Sequence, residues 1–192
     1  MSSYLDAFMP ESDIRKRHSI QVRAPAHVVF DVARDFDLQS VPLVRALFRL
    51  RAQALGGRDV REPGPVNVAS LLRMGWSTLE ERSGRVFIAG AACRPWQADV
   101  VFTPIPADRF RTYAEPEQVK IAWTLEVEPL GFDRSRLETE TRAVGTDPAA
   151  RRRFRRYWRI FGMGIVAIRW LMLPAMRREA ERRWRATGPR TV

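Results

Sequence analysis

Apolar residues recur along this chain with two periods, and the switches between them mark its organisation. Between Arg17 and Arg23, His18, Ile20 and Val22 alternate with Arg17, Ser19, Gln21 and Arg23, which predicts a first strand. Ala24-Pro25-Ala26 breaks it. Val28, Val29, Val32, Ala33 and Phe36 then recur at helical spacing, predicting a short helix over residues 26–36. A second helical stretch over 41–55 carries Val44, Leu47, Phe48 and Leu50, with Gly56-Gly57 as its stop; 58–66, containing Pro63-Gly64-Pro65, read as a loop.

After Asn67 the period becomes two. Residues 70–82 place Leu72, Met74, Trp76 and Thr78 at alternate positions, and Ser83-Gly84 is a hairpin turn signal. Residues 85–94 follow, with the small-residue run Ala89-Gly90-Ala91-Ala92-Cys93. Short strands are predicted at 100–103 and 109–114, separated by Pro104 and Pro106. In 119–127, Val119, Ile121, Trp123, Leu125 and Val127 face one way, and Lys120, Ala122, Thr124 and Glu126 the other. In 134–144, Leu137, Thr139, Thr141 and Ala143 oppose Glu138, Glu140 and Arg142.

The last stretch returns to helical spacing. Asp147-Pro148 is a helix start: a side-chain acceptor at the N-cap, then a residue whose missing N–H costs nothing there. Ala150, Phe154, Tyr157, Phe161, Ile165, Ile168, Met172 and Met176 share one side, while Arg152, Arg155, Arg156 and Arg159 fall mostly on the other. One long helix over 147–185 is predicted, with a break expected at Gly162-Met163-Gly164 and a kink near Pro174. Strand, two helices, a run of antiparallel strands and a long helix define an α+β chain. At 192 residues it is expected to be a single domain, with 1–13 as a lead.

Charge sharpens this picture. The net charge is +11, and 147–192 contribute thirteen arginines against three acids, leaving the remainder near neutral. A basic helix face attracts anionic surfaces, so peripheral contact with an anionic membrane is a candidate. Nucleic-acid binding is disfavoured, because Phe154, Tyr157 and Trp158 share the phase of the apolar stripe and are not free to stack on bases. The apolar run 160–176 is short for a membrane span and contains Arg169, which argues against one. Cys93 is the single cysteine, so no internal disulfide forms. With no basic-then-apolar leader at Met1-Ser2-Ser3, a cytoplasmic location is expected.

Catalytic signals are sparse. No metal-ligand spacing, Walker loop, nucleotide fingerprint or nucleophile elbow is present, so no cofactor is expected. His18 and His27 lack an identifiable carboxylate partner in the sequence, and Arg73, Glu80, Asp99 and Glu126 are the other polar candidates for an interior.

The order of elements resembles the START-like (SRPBCC) superfamily, which includes polyketide cyclase/dehydrase and lipid-transfer proteins. The resemblance is carried by His18-Ser19-Ile20-Gln21-Val22 with Ala24-Pro25-Ala26, by Ala122-Trp123 through Val127-Glu128-Pro129-Leu130-Gly131, by Leu137-Glu138-Thr139-Glu140-Thr141-Arg142, and by Asp147-Pro148-Ala149-Ala150-Arg151. It spans 13–183. It implies a helix-grip fold: a curved antiparallel sheet around the long C-terminal helix, with an apolar cavity between them. The implied function is non-catalytic carriage of a small apolar or lipid-like ligand; a cyclase-like enzyme is the alternative, and an adaptor using the basic helix a third. The expected cavity residues are Met74, Trp76, Trp96, Tyr113, Trp123, Trp158, Phe161, Ile165, Ile168 and Met172. Oligomeric state is left open, with Trp170 and Trp184 as candidate contacts.

Overall fold

A computed structural model describes residues 3–56 and 64–187; the helix stop at Gly57 and the loop expected at 58–63 lie outside the described residues. The elements run β1 (Ile14–Val22), α1 (Ala26–Asp35), α2 (Pro42–Ala54), α3 (Val68–Arg73), β2 (Ser77–Arg82), β3 (Val86–Cys93), β4 (Thr103–Pro104), α4 (Ala107–Phe110), β5 (Val119–Pro129), β6 (Ser135–Gly145) and α5 (Pro148–Thr187). Among the described residues the strands form one curved six-stranded antiparallel sheet, ordered β1-β6-β5-β3-β2, with β4 against β3. α5 lies across β1, β6 and β5, with α1 and α2 against it. This is the α+β, helix-grip arrangement.

One predicted strand is cut to its second half and another is replaced. Residues 70–76 read as alternating, but Asn67 caps a helix instead. Its side chain accepts the Ser70 N–H at 3.1 Å, and the Ser70 hydroxyl accepts the Asn67 N–H at 2.8 Å. This capping box satisfies two otherwise orphaned donors and starts α3. Gly75 then turns the chain at φ +102, where an added Cβ would lie 2.3 Å from the Phe102 carbonyl oxygen, and only afterwards does β2 begin. The strand expected at 109–114 is likewise replaced: Ala107–Phe110 form α4 after Pro106, and only Thr103–Pro104 of the preceding segment pair with β3.

The two faces of the sheet are packed differently. On the outer face, Val86, Ile88, Ala92, Ala122 and Val144 meet Leu5 and Met9 of the N-terminal lead, Ile105, and Phe110 of α4. Gly90 also points this way. A Cβ on it would stand 2.4 Å from Phe110 Cε2 and 2.7 Å from Leu79 Cδ1, so the glycine is the seat of the Phe110 ring. Half of the small-residue run is thereby filled from outside the sheet. Its other half, Ala89 and Ala91, faces α5, because each residue along a strand alternates in direction.

Glu140 and Arg142 of β6 are on the outer face, as their alternation requires, but they are buried. Arg142 and Glu140 are each about 1% exposed. The Arg142 guanidinium donates to Glu140 Oε1 at 2.7 Å, to the Met9 carbonyl at 2.6 Å and to Asp6 Oδ1 at 2.6 Å. The lead therefore does more than precede the fold; it closes one side of the sheet.

α5 begins as its sequence specifies. Asp147 accepts N–H bonds from Ala149 at 2.7 Å and Ala150 at 2.8 Å, and a third from Glu117, which ties the helix start to the entry of β5. The break expected at Gly162-Met163-Gly164 is not there: the helix runs unbroken through both glycines and through Pro174. Gly162 instead leaves room for Trp158, whose ring would be 2.8 Å from an added Cβ. The helix is not wrapped on all sides, as its wide apolar face had suggested. Ile160 (73% exposed), Met163 (79%) and Trp170 (67%) lie on an open outer stripe. By length and composition α5 is apolar enough to cross a membrane, and only 17% of its most apolar stretch is buried.

Candidate functional site between the sheet and α5

The register places a row of side chains across the inner face: Lys16, Thr141, Trp123 and Ala89 on four neighbouring strands. Ile14, Ala143, Ile121 and Ala91 form the next row on one side, and His18 with Thr139 stand on the other. α5 crosses above. At one end Val119, Ala143, Phe154 and Tyr157 close the space. At the other, Phe30 and Val29 of α1 pack with Phe87, Leu125, Leu137, Leu173 and Met176. Those end residues are buried. Between them, Ile121, Trp123, Thr139, Thr141, Phe161, Ile165, Ile168 and Met172 all keep accessible surface. Apolar side chains turned inward and still accessible depart from the close packing of a finished core.

Polar groups converge in this middle zone. Arg169, one turn after Ile165, donates from Nη2 to Thr141 Oγ1. Its Nη1 is buried and has no hydrogen-bond partner among the described residues. Burial pushes the guanidinium down to about 10, and no carboxylate among the described residues offsets it. Arg169 is thus deep in the molecule yet retains some accessible surface, the combination expected of a residue beside an internal space. His18 Nδ1 is also buried and unpartnered among the described residues, and the Trp170 ring meets His18 edge-on at 6.4 Å. Burial first, then the charges of Arg169 and Lys16, hold the His18 imidazole below its usual pKa and so neutral at pH 7. Trp76 Nε1 and, further along α5, Arg177 Nε are also buried with no partner among the described residues.

The residues expected to line a cavity are distributed as follows. Trp76, Trp123 and Met172 come together on the α1 side; Trp76 lies 6.3 Å from Trp123 and 5.1 Å from Phe102, ring centre to ring centre. Trp96, Trp158, Phe161 and Ile165 gather at the other end, around Phe154 and Tyr157. Ile168 is half-buried between the two groups by its position on α5. Met74 is the half-buried C-cap of α3. Tyr113 is not brought to the others. It packs on the outer face with the Phe110 cluster, and its hydroxyl donates to Gln118 Oε1 at 3.0 Å.

Sequence reasoning passed over Arg169 and Thr141 as site residues. Arg169 registered only as an obstacle to a membrane span, although it lies four residues after Ile165 and so shares its side of the helix. Arg73 and His27 are exposed. Cys93 is buried, and burial pushes its thiol up to about 12, so it is inert packing. Among the described residues no group of three His, Cys, Asp or Glu side chains is placed to hold a metal ion.

A separate open groove of about 590 Å³ lies between the end of α1, the turn Leu38–Ser40 and the second half of α5. Phe36, Val41 and Ala175 line it with Asp37, Glu179 and Arg182. Its charged groups serve each other and the backbone: Glu179 binds Arg182 and Arg183, and Asp37 caps Gln39 and Val66.

No family model matches the chain, and no curated protein matches it. Solved structures give distant likenesses. The Zhui aromatase/cyclase from Streptomyces sp. R1128 is 15% identical, with 91% of this chain and 98% of that chain covered and a TM-score of 0.33. A norcoclaurine synthase point mutant from Thalictrum flavum is 12% identical over 87% and 93%, at 0.39. A hypothetical protein from Helicobacter pylori is 11% identical over 94% and 93%, at 0.38. At such identities and TM-scores, nothing about activity transfers. The class of this protein, a helix-grip α+β domain resembling the START-like superfamily, is read from its own sheet order and from the helix laid across it.

Proposed function

We propose that this protein binds and carries a small molecule with an apolar body, held between the inner face of the sheet and α5. The observation that carries the reading is the set of inward, half-covered apolar residues, Ile121, Trp123, Phe161, Ile165 and Met172, between two closed ends of the core. Each 100 Å² of apolar ligand surface buried there contributes about 2.5 kcal/mol before association costs. Binding stands ahead of catalysis. A cyclase-like reaction needs a group that takes and returns a proton, and no carboxylate among the described residues acts on either His18 or Arg169.

Titration of the folded protein with the neutral fluorophore N-phenyl-1-naphthylamine tests the reading. Saturable one-to-one uptake, lost when the space is filled by Ile165→Trp, is expected. Wild-type protein that takes up none of the fluorophore refutes it.

A second reading, peripheral contact with an anionic membrane, rests on a different surface. Ile160, Met163 and Trp170 on α5 and Phe48 on α2 are exposed, and Arg152, Arg156 and Arg159 continue the same stripe of α5. Such contact would bring a carrier to the source of an apolar cargo. Vesicle co-sedimentation measures it.

A further inference from the structure

We infer that the molecule held between the sheet and α5 is an organic anion, with an apolar body and a carboxylate or phosphate head that pairs with Arg169 in the middle of the space. This rests on the ligand-binding reading above and names the chemistry of its ligand.

Two arginines with buried guanidinium groups, Arg142 and Arg169, make the case by contrast. Arg142, on the outer face, is matched on all sides: Glu140, Asp6 and the Met9 carbonyl take its three donor nitrogens. The fold is therefore able to satisfy a buried guanidinium. Arg169 is not satisfied in that way. Thr141 takes Nη2 and fixes the plane of the group, while Nη1 has no acceptor among the described residues. A buried donor without an acceptor, and more so a buried charge without a counter-charge, is costly unless something else supplies the partner.

The surroundings favour an anion over a neutral acceptor. Lys16 stands next to Thr141 across the strand pair, and neither Arg169 nor His18 feels a carboxylate. A neutral ligand carbonyl would satisfy the hydrogen bond and leave the charge unanswered. A carboxylate or phosphate oxygen answers both, at the shorter and stronger geometry of a charge-assisted bond. Nη1 is covered by neighbours in the present arrangement, so the head reaches it by rotation of the arginine side chain rather than by a change of fold. Trp123, Ile165 and Met172 flank the same point and are placed to receive the apolar body.

The test displaces bound N-phenyl-1-naphthylamine with three probes of equal chain length: dodecanoate, monododecyl phosphate and 1-dodecanol. The proteins are the wild type, Arg169→Gln and Arg169→Lys. In the wild type at least one anion is expected to bind about tenfold or more tighter than the alcohol, as a charge-assisted bond implies; which anion does so identifies the head. Arg169→Gln should erase that difference, while Arg169→Lys retains part of it. Equal displacement by all three probes in the wild type overturns the inference without touching the carrier reading. That comparison needs no variant, so it stands even if one fails to fold. An anion preference that survives Arg169→Gln also overturns it, since the surface arginines of α5 would then be its source. Failure of the fluorophore to bind at all removes both readings together.

Discussion

Replacing Arg142 by methionine tests what holds the outer side of the sheet. The substitution keeps an unbranched apolar stem and deletes all three donor nitrogens at once. Glu140, about 1% exposed, would keep the Ser3 hydroxyl and a single counter-charge in the half-exposed Arg15, whose Nε lies 2.8 Å away, and the Met9 carbonyl would lose its partner. Removing one member of a buried ion pair costs about 3–5 kcal/mol, because the other charge stays desolvated. Against a typical total of about 5–15 kcal/mol, that is a third or more of the stability.

Urea unfolding at pH 7 should show this loss, and the pH dependence carries a second check. Burial raises the Glu140 carboxyl pKa, but hydrogen bonds from Arg142, Ser3 and Arg15 and the Arg142 charge outweigh burial and hold it below the ordinary carboxylate range. A carboxyl depressed on folding contributes stability that is present above its unfolded pKa and is lost as pH falls through the folded one. In Arg142→Met its hydrogen bond and its charge are both gone, so the deficit relative to wild type should be full at pH 7 and shrink towards pH 3. Arg142→Met with Glu140→Leu should recover most of the loss. The fluorophore affinity of the folded single variant should be unchanged, because the network lies on the face away from α5. A deficit under about 1 kcal/mol, well short of the cost of a broken buried pair, or one that does not vary with pH, refutes the reasoning.

Two further outcomes follow from packing and charge. Gly90→Val should lower stability by about 1–3 kcal/mol in thermal unfolding, because its Cβ would stand 2.4 Å from the fully buried Phe110 ring; an unchanged midpoint would contradict that packing. Wild-type protein should co-sediment with phosphatidylserine vesicles at low salt, less so at high salt, and Met163→Glu with Trp170→Glu should abolish it; wild-type protein left in the supernatant at low salt counts against the membrane reading.

What the sequence disclosed depended on how long each pattern ran. Val119 to Val127 alternate over nine positions, and both faces of β5 are as read. Asp147-Pro148 marks the start of α5 to the residue. Short patterns misled. Leu72, Met74 and Trp76 are spaced by two over only five residues, too few to separate a strand from a helix turn followed by a glycine bend, and the capping signal at Asn67 was the better guide. The alternation of β6 put Glu140 and Arg142 on the polar side correctly, but their burial depends on Leu5 and Met9 folding over them from far along the chain. The same limit hid the site. Thr141 and Arg169 meet only because β6 and α5 cross, which neither periodicity encodes.

The unequal packing of the two faces bears directly on function. A side chain fully buried contributes about 1.5–3 kcal/mol, so several inward residues left half-covered under α5 forgo an appreciable part of the stability they are able to supply. A chain tolerates that only if other regions are closed well. Here they are: the lead, Phe110 and Ile105 seal the outer face, and α1 seals one end of the inner one. The stability is concentrated where no ligand goes, and the deficit is concentrated around Trp123, Ile165 and Arg169. A molecule that covers the first two and answers the charge of the third supplies the contacts the chain leaves unmade. Its binding should therefore stabilise the folded state by mass action. The exposure of Ile160 and Met163 on the same helix fits this division, since α5 is held by the sheet, α1 and α2 and leaves these two side chains outside that contact.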